Sequence, residues 1–177
     1  MRRALLIVTV SVLTIGALLG FMSTSAKADD LTPEQTQHIK ANCVAIKGSL
    51  NQLHVSDALL RVNRGQVYES LGSRLMDSFN DRLSGNQLDN RAMTTVTNSY
   101  RNALLAFRTD YIAYEQKLSE AIRIDCVAQP NTFHTTIEEA RKLRTVVHED
   151  VLKIHRSIDD YRGAVSDFLL NFERIAQ

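Results

Sequence analysis

The amino-acid sequence predicts an all-α protein: an elongated antiparallel three-helix bundle, up-down-up and coiled-coil-like, with one disulfide between its first two helices. Three observations predict it. Apolar residues recur at alternating steps of three and four through three long stretches, and no stretch shows the two-residue alternation of a strand. Helix breakers are scarce, with 7 Gly and 2 Pro in 177 residues. The two cysteines, Cys43 and Cys126, flank the turn-forming segment Ser84-Gly85-Asn86 symmetrically. In an antiparallel hairpin, facing residues have position numbers of constant sum, and pairing 43 with 126 puts the pivot between Ser84 and Gly85.

The chain opens with Arg2-Arg3, an apolar run from Ala4 to Met22, and Ala26-Lys27-Ala28 before Asp29-Asp30. This is the pattern of an export signal over residues 1–28, with small residues where a peptidase cuts after Ala28. The alternative is an uncleaved membrane anchor through residues 4–22, since about 17 to 25 apolar residues can span a bilayer. Two arginines before such a run are an ordinary n-region. Either way the expected location of residues 29–177, a single domain, is outside the cytoplasm: secreted, periplasmic or at the cell surface. Cleavage removes Arg2, Arg3 and Lys27 and no acid, so 21 basic residues become 18 against 20 acidic ones. Without a basic excess the electrostatic footprint of a nucleic-acid binder is missing.

The first helix is expected over about 33–84. Thr32-Pro33-Glu34-Gln35 reads as a capping box with proline at the first helical position. Ile39, Cys43, Ile46, Leu50, Leu53, Asp57, Leu60, Arg64, Val67 and Leu71 then follow a heptad seam, after which Leu75, Phe79 and Leu83 step by fours, a stutter. Gly85 is expected to end this helix in the left-handed conformation, with Asn86 or Asp89 capping the next. The second helix, about 88–127, carries Met93, Val96, Tyr100, Ala103, Phe107, Tyr111, Tyr114, Leu118 and Ile122 on one face and stops before Gln129-Pro130. The third, about 132–176, carries Phe133, Ile137, Ala140, Arg144, Val147, Val151, Ile154, Ile158, Tyr161, Val165, Phe168, Phe172 and Ile175. Each has an apolar stripe that it must bury against the others. A Cys43–Cys126 bridge fits an oxidising compartment and closes a loop worth about 4 kcal/mol. With no C-x-x-C pair, the cysteines do not read as a redox site.

Polar residues interrupt the seam at Asp57 and Arg64. Setting the third helix beside the first with Pro33 level with Asn131 predicts a mid-bundle polar layer of Asp57, Arg61, Arg64, Arg108, Asp110, Asp159 and Asp160. Such a layer can fix register, or Arg61 and Arg64 can hold an anionic ligand. Five histidines are present. His134 with Glu138 and His155 with Asp159 have i, i+4 spacing, but neither an H-e-x-x-H zinc site nor the ligand set of a di-iron bundle occurs, and these side chains read as solvated helix faces. There is no nucleophile elbow and no phosphate loop. The tyrosines at 100, 111 and 114 lie on a seam and read as core.

A long three-helix rod is similar to spectrin-type repeats in architecture alone; the cysteines and the segment Arg61-Val62-Asn63-Arg64-Gly65 are not marks of that family, and the likeness carries no function. The sequence therefore points to a non-enzymatic envelope or extracellular protein, with no catalytic residues, metal or cofactor expected. It would act by helix-face interaction with a protein partner or with itself, through leftover apolar residues such as Leu104, Leu143, Val146, Leu169 and Leu170. The alternative is a bundle that binds a small ligand or ion at the Arg/Asp layer.

Overall fold

The computed structural model describes residues 31–176, so the expected export signal lies outside the described residues. Helix α1 is Pro33–Ser70 and runs without a break past Ser56 into a π-helical segment, Leu71–Asp77, and then α2, Ser78–Gly85. Helix α3 is Arg91–Arg123 and α4 is Pro130–Ala176. Among the described residues there is no strand. Thr32 caps α1 as expected: its hydroxyl accepts from Gln35 N–H at 3.2 Å and Gln35 Oε1 accepts from Thr32 N–H at 2.8 Å.

The boundaries differ from the expected ones at both turns, for local reasons. Gly85 does not adopt a left-handed conformation; Gln87 does, with φ 58°. Leu88 N–H bonds to Leu83 C=O and Gln87 N–H to Ser84 C=O, which is a Schellman closure with Gln87 where glycine is usual. Helix α3 stops at Arg123 rather than near Val127, because Asp125 Oδ1 accepts from the N–H groups of Val127 and Ala128 and folds residues 124–129 into a turn. Helix α4 starts at Pro130, with Gln129 C=O accepting from Phe133 N–H at 3.0 Å.

Cys43 and Cys126 form the disulfide, with Cα atoms 5.7 Å apart. From that link onward, numbers along α1 and α2 rise while those of their α3 partners fall: His54 meets Glu115, Asp57 meets Tyr114, and Asn80 meets Thr97. Partners on α4 rise instead: Asp57 with Arg144, Tyr68 with His155, Asn80 with Tyr161. The closest packing is between α3 and α4.

The buried residues fall into three clusters. One gathers Ile39, Cys126 and Phe133; a second Tyr111, Tyr114, Leu118 and Ala140; the largest holds Tyr68, Met76, Tyr100, Phe107, Ile154 and Tyr161 with their neighbours. Between Leu50 and Tyr68, α1 gives no apolar side chain to any of them. The expected seam is overturned here: Leu60, Val67 and Leu75 are about half exposed and Arg64 is exposed, while Tyr68, Gly72 and Met76 are buried. A strict seven-residue repeat on a straight helix precesses by about 20° per heptad, and four heptads carry the seam round to the edge.

The π segment restores the phase. Its wider turn takes more residues per revolution and returns Met76, Asn80 and Leu83 to the buried side. Two buried tyrosines tie it down. Tyr100 Oη donates to Tyr68 C=O at 2.6 Å, and Tyr161 Oη bonds Met76 C=O at 3.3 Å and Asn80 Oδ1 at 3.0 Å. Burial pushes the Tyr100 hydroxyl up to about 12, so it remains a donor at neutral pH. Gly72 lets this contact close: a Cβ there would sit 3.2 Å from Tyr100 Cε1, and the ring would have to give by a few tenths of an ångström.

Candidate functional site

Where α1 lacks apolar contacts, a groove of about 490 Å³ opens between α1, α3 and α4. Its floor is aromatic, from Tyr68 on α1 and Phe107, Tyr111 and Tyr114 on α3. Asp57, Arg61 and Arg64 line it from α1, and Arg144, His148 and His155 from α4; Leu60 and Leu152 form its lips. Three of the expected polar-layer residues, Asp57, Arg61 and Arg64, thus come together.

Asp57 is the structural member. Its Oδ2 accepts from Tyr114 Oη at 2.7 Å and from Arg144 Nε at 2.9 Å, joining all three long helices at one point. The Tyr114 hydroxyl is pushed up by burial first and then by this bond to Asp57, and the Arg144 guanidinium is raised by the same carboxylate. Arg61 instead lays its guanidinium over the Tyr111 ring, 5.2 Å from the centroid. Among the described residues neither Arg61 nor Arg64 pairs with a carboxylate. His155 shares a 3.0 Å hydrogen bond with Tyr68 Oη rather than standing with Asp159.

The other four expected members are elsewhere. Arg108 pairs with Glu69 on the far side of α1. Asp159 and Asp160 are exposed and border a different hollow, of about 910 Å³, with Asp89, Asp167 and Phe168. Their displacement follows from the disulfide. Asp57 bonds Arg144 and Tyr68 bonds His155, both 87 positions away, so Pro130 stands level with Cys43, well inside α1, and not with Pro33. Asp110 lies on the α3–α4 side against Asp150, whose side chain is 1% exposed. Asp150 Oδ1 accepts from Lys153 Nζ at 2.8 Å, and its buried Oδ2 has no partner among the described residues.

A second feature is the outer face of α1. Between Ala41 and Tyr68 this helix has four charged residues besides His54, and all are turned inward or into the groove: Lys47 Nζ donates to Ile124 C=O at 3.2 Å, and Asp57, Arg61 and Arg64 line the groove. What faces outward from Ala41 to Gln66 is Ala, Gly, Ser, Asn and Gln, together with Val44 (87% exposed), Val55, Leu59 (61%) and Val62. The expected leftover apolar set needs correction: Leu104 is buried and Leu143 partly so, whereas Val146, Leu169 and Leu170 are exposed.

No group of three or more His, Cys, Asp or Glu that could hold a metal ion occurs among the described residues. His54 Nε2 lies 2.9 Å from Glu115 Oε1, and this bond is the main cause of the lowered Glu115 carboxyl. His134 is 3.9 Å from Glu138.

Two stability measurements separate the roles. Asp57→Ala should cost about 1–3 kcal/mol in urea denaturation, because it strands the Tyr114 hydroxyl and Arg144; Arg64→Leu should stay within about 0.5 kcal/mol. The Asp110 carboxyl is raised above its ordinary range, first by the neighbouring Asp150 carboxyl and then by burial. A raised folded value means that stability is intact below the unfolded value of about 4 and falls as pH rises toward the folded one. Asp110→Asn should therefore raise the melting temperature at neutral pH and flatten that decline in thermal denaturation across weakly acidic buffers. Compared with protein-family models, with curated proteins and with solved structures, the chain matches none.

Proposed function

We propose that this is an exported, non-enzymatic envelope or extracellular protein, an up-down-up three-helix bundle that works by helix-face association through the outer side of α1. The observation that carries the proposal is the outward face of α1 from Ala41 to Gln66, which presents no charged side chain and leaves Val44, Val55, Leu59 and Val62 exposed along it. A helix on the surface of a globular protein ordinarily turns charged residues to solvent, and exposed apolar patches mark interaction sites. The falling α3 partners and rising α4 partners of α1 support the up-down-up course. The disulfide supports an oxidising compartment, and the Ala26-Lys27-Ala28 site supports cleavage of the leader. No described helix is long and apolar enough to cross a membrane.

The face suits a second copy of the chain. Small residues, Ala41, Ala45 and Gly48, flank Val44 in its first half, and large ones, Val55, Leu59 and Val62, occupy its second. Two copies laid antiparallel bring the large residues of each onto the small residues of the other about a twofold axis near Gln52, an isologous contact. With no charge on either side, nothing repels. A single pair of helix faces is smaller than a standard interface of about 1,600 Å², so the association is concentration-dependent.

Sedimentation of the chain starting at Asp29 should show a monomer–dimer equilibrium that Leu59→Glu abolishes without lowering the melting temperature measured at concentrations where the chain is monomeric. Gln52→Cys should form an intermolecular disulfide. A monomer at every concentration, joined with no adduct from a photo-crosslinker at Leu59 in the exporting cell, would refute helix-face association through α1.

A further inference from the structure

Beyond association through the outer face of α1, we propose that the inner groove is a binding site for an amphiphilic anion, a carboxylate or phosphate head on an apolar or aromatic body. The charge of the lining points to an anion. Three guanidiniums, those of Arg61, Arg64 and Arg144, face one carboxylate, and Asp57 is already held by Tyr114 and Arg144. Arg61 and Arg64 have no carboxylate partner among the described residues, and Arg61 is positioned by Tyr111 rather than by an acid. A guanidinium fixed on an aromatic ring keeps its N–H edge available for an oxyanion.

The apolar lining points to a body behind the head. The floor is the aromatic wall of α3, and the lips are Leu60 and Leu152, 49% and 42% exposed. A free inorganic anion would satisfy the arginines and leave these surfaces wet. The volume of about 490 Å³ lies within the range of roughly 300–1,000 Å³ usual for small-molecule sites. The site also coincides with the length of α1, from Leu50 to Tyr68, that contributes no apolar side chain to the core. A ligand body there supplies the missing packing between the second and the largest cluster, and binding to the folded state alone raises stability.

The test uses the disulfide-intact chain starting at Asp29 with three probes: sodium phosphate, phenyl phosphate and decanoate at matched ionic strength, read by melting temperature and titration calorimetry. Phenyl phosphate or decanoate should raise the melting temperature saturably while inorganic phosphate does not. Arg64→Glu, at an exposed position, should leave the ligand-free melting temperature unchanged and weaken binding by about tenfold or more, the loss of one charge-assisted contact. If inorganic phosphate stabilises as well as phenyl phosphate, the apolar part of the proposal is wrong. If no probe shifts the melting temperature, or the shift survives Arg64→Glu, the groove is not an anion site. Neither result touches the dimer equilibrium, which is read on the opposite face of α1.

Discussion

Helix α1 is joined to the α3–α4 pair by apolar packing up to Leu50 and again from Tyr68, with none between, and the rest of the molecule follows from that. At one end the Cys43–Cys126 bridge sits among Ile39, Phe133 and Cys126. At the other, Tyr100 and Tyr161 reach across to the backbone carbonyls of Tyr68 and Met76. Between these anchors the contacts are polar: His54 with Glu115, Asp57 with Tyr114 and Arg144, Arg61 over Tyr111. A helix suspended in this way has two unusual faces in its middle, an inner one over a groove and an outer one without charge.

The suspension has its origin in a mismatch of periods. The apolar positions of α1 repeat every seven residues, but the helix does not supercoil enough to follow them, so the stripe winds off the core. Leu60 and Val67 are carried outward, and the π segment at Leu71–Asp77 restores the phase for Met76 and Leu83. The stutter after Leu71 was legible in the sequence. That it takes the form of a π turn held by tyrosine hydroxyls was not, because the hydroxyl partners come from helices distant in sequence.

The same distinction applies to the site. All-helical structure, the cysteine pairing and the clustering of Asp57, Arg61 and Arg64 could be read from spacing, since helical periodicity places them. Asp159 and Asp160 lie outside the groove because α1 and α4 are not level at their starts: the cysteine pairing sets Cys43 level with the start of α4. Arg144 carried its own signal as a charged residue on an otherwise apolar stripe. The Asp110–Asp150 contact had none, since nothing local marks Asp150 as buried. The outer face of α1 has no local signal in the sequence, because its lack of charge is defined only by which positions the fold turns inward.

If α1 is held mainly at its ends, amide hydrogen exchange should show it. With the disulfide intact, the amides of α1 should be protected near Cys43 and Tyr68, and less so between them than those of α3 and α4. After reduction, protection should fall from the N-terminal end of α1 through Asp57, while the α3–α4 pair and the π segment keep theirs. Uniform protection along α1 that survives reduction, or a cooperative loss across all helices, would contradict this account.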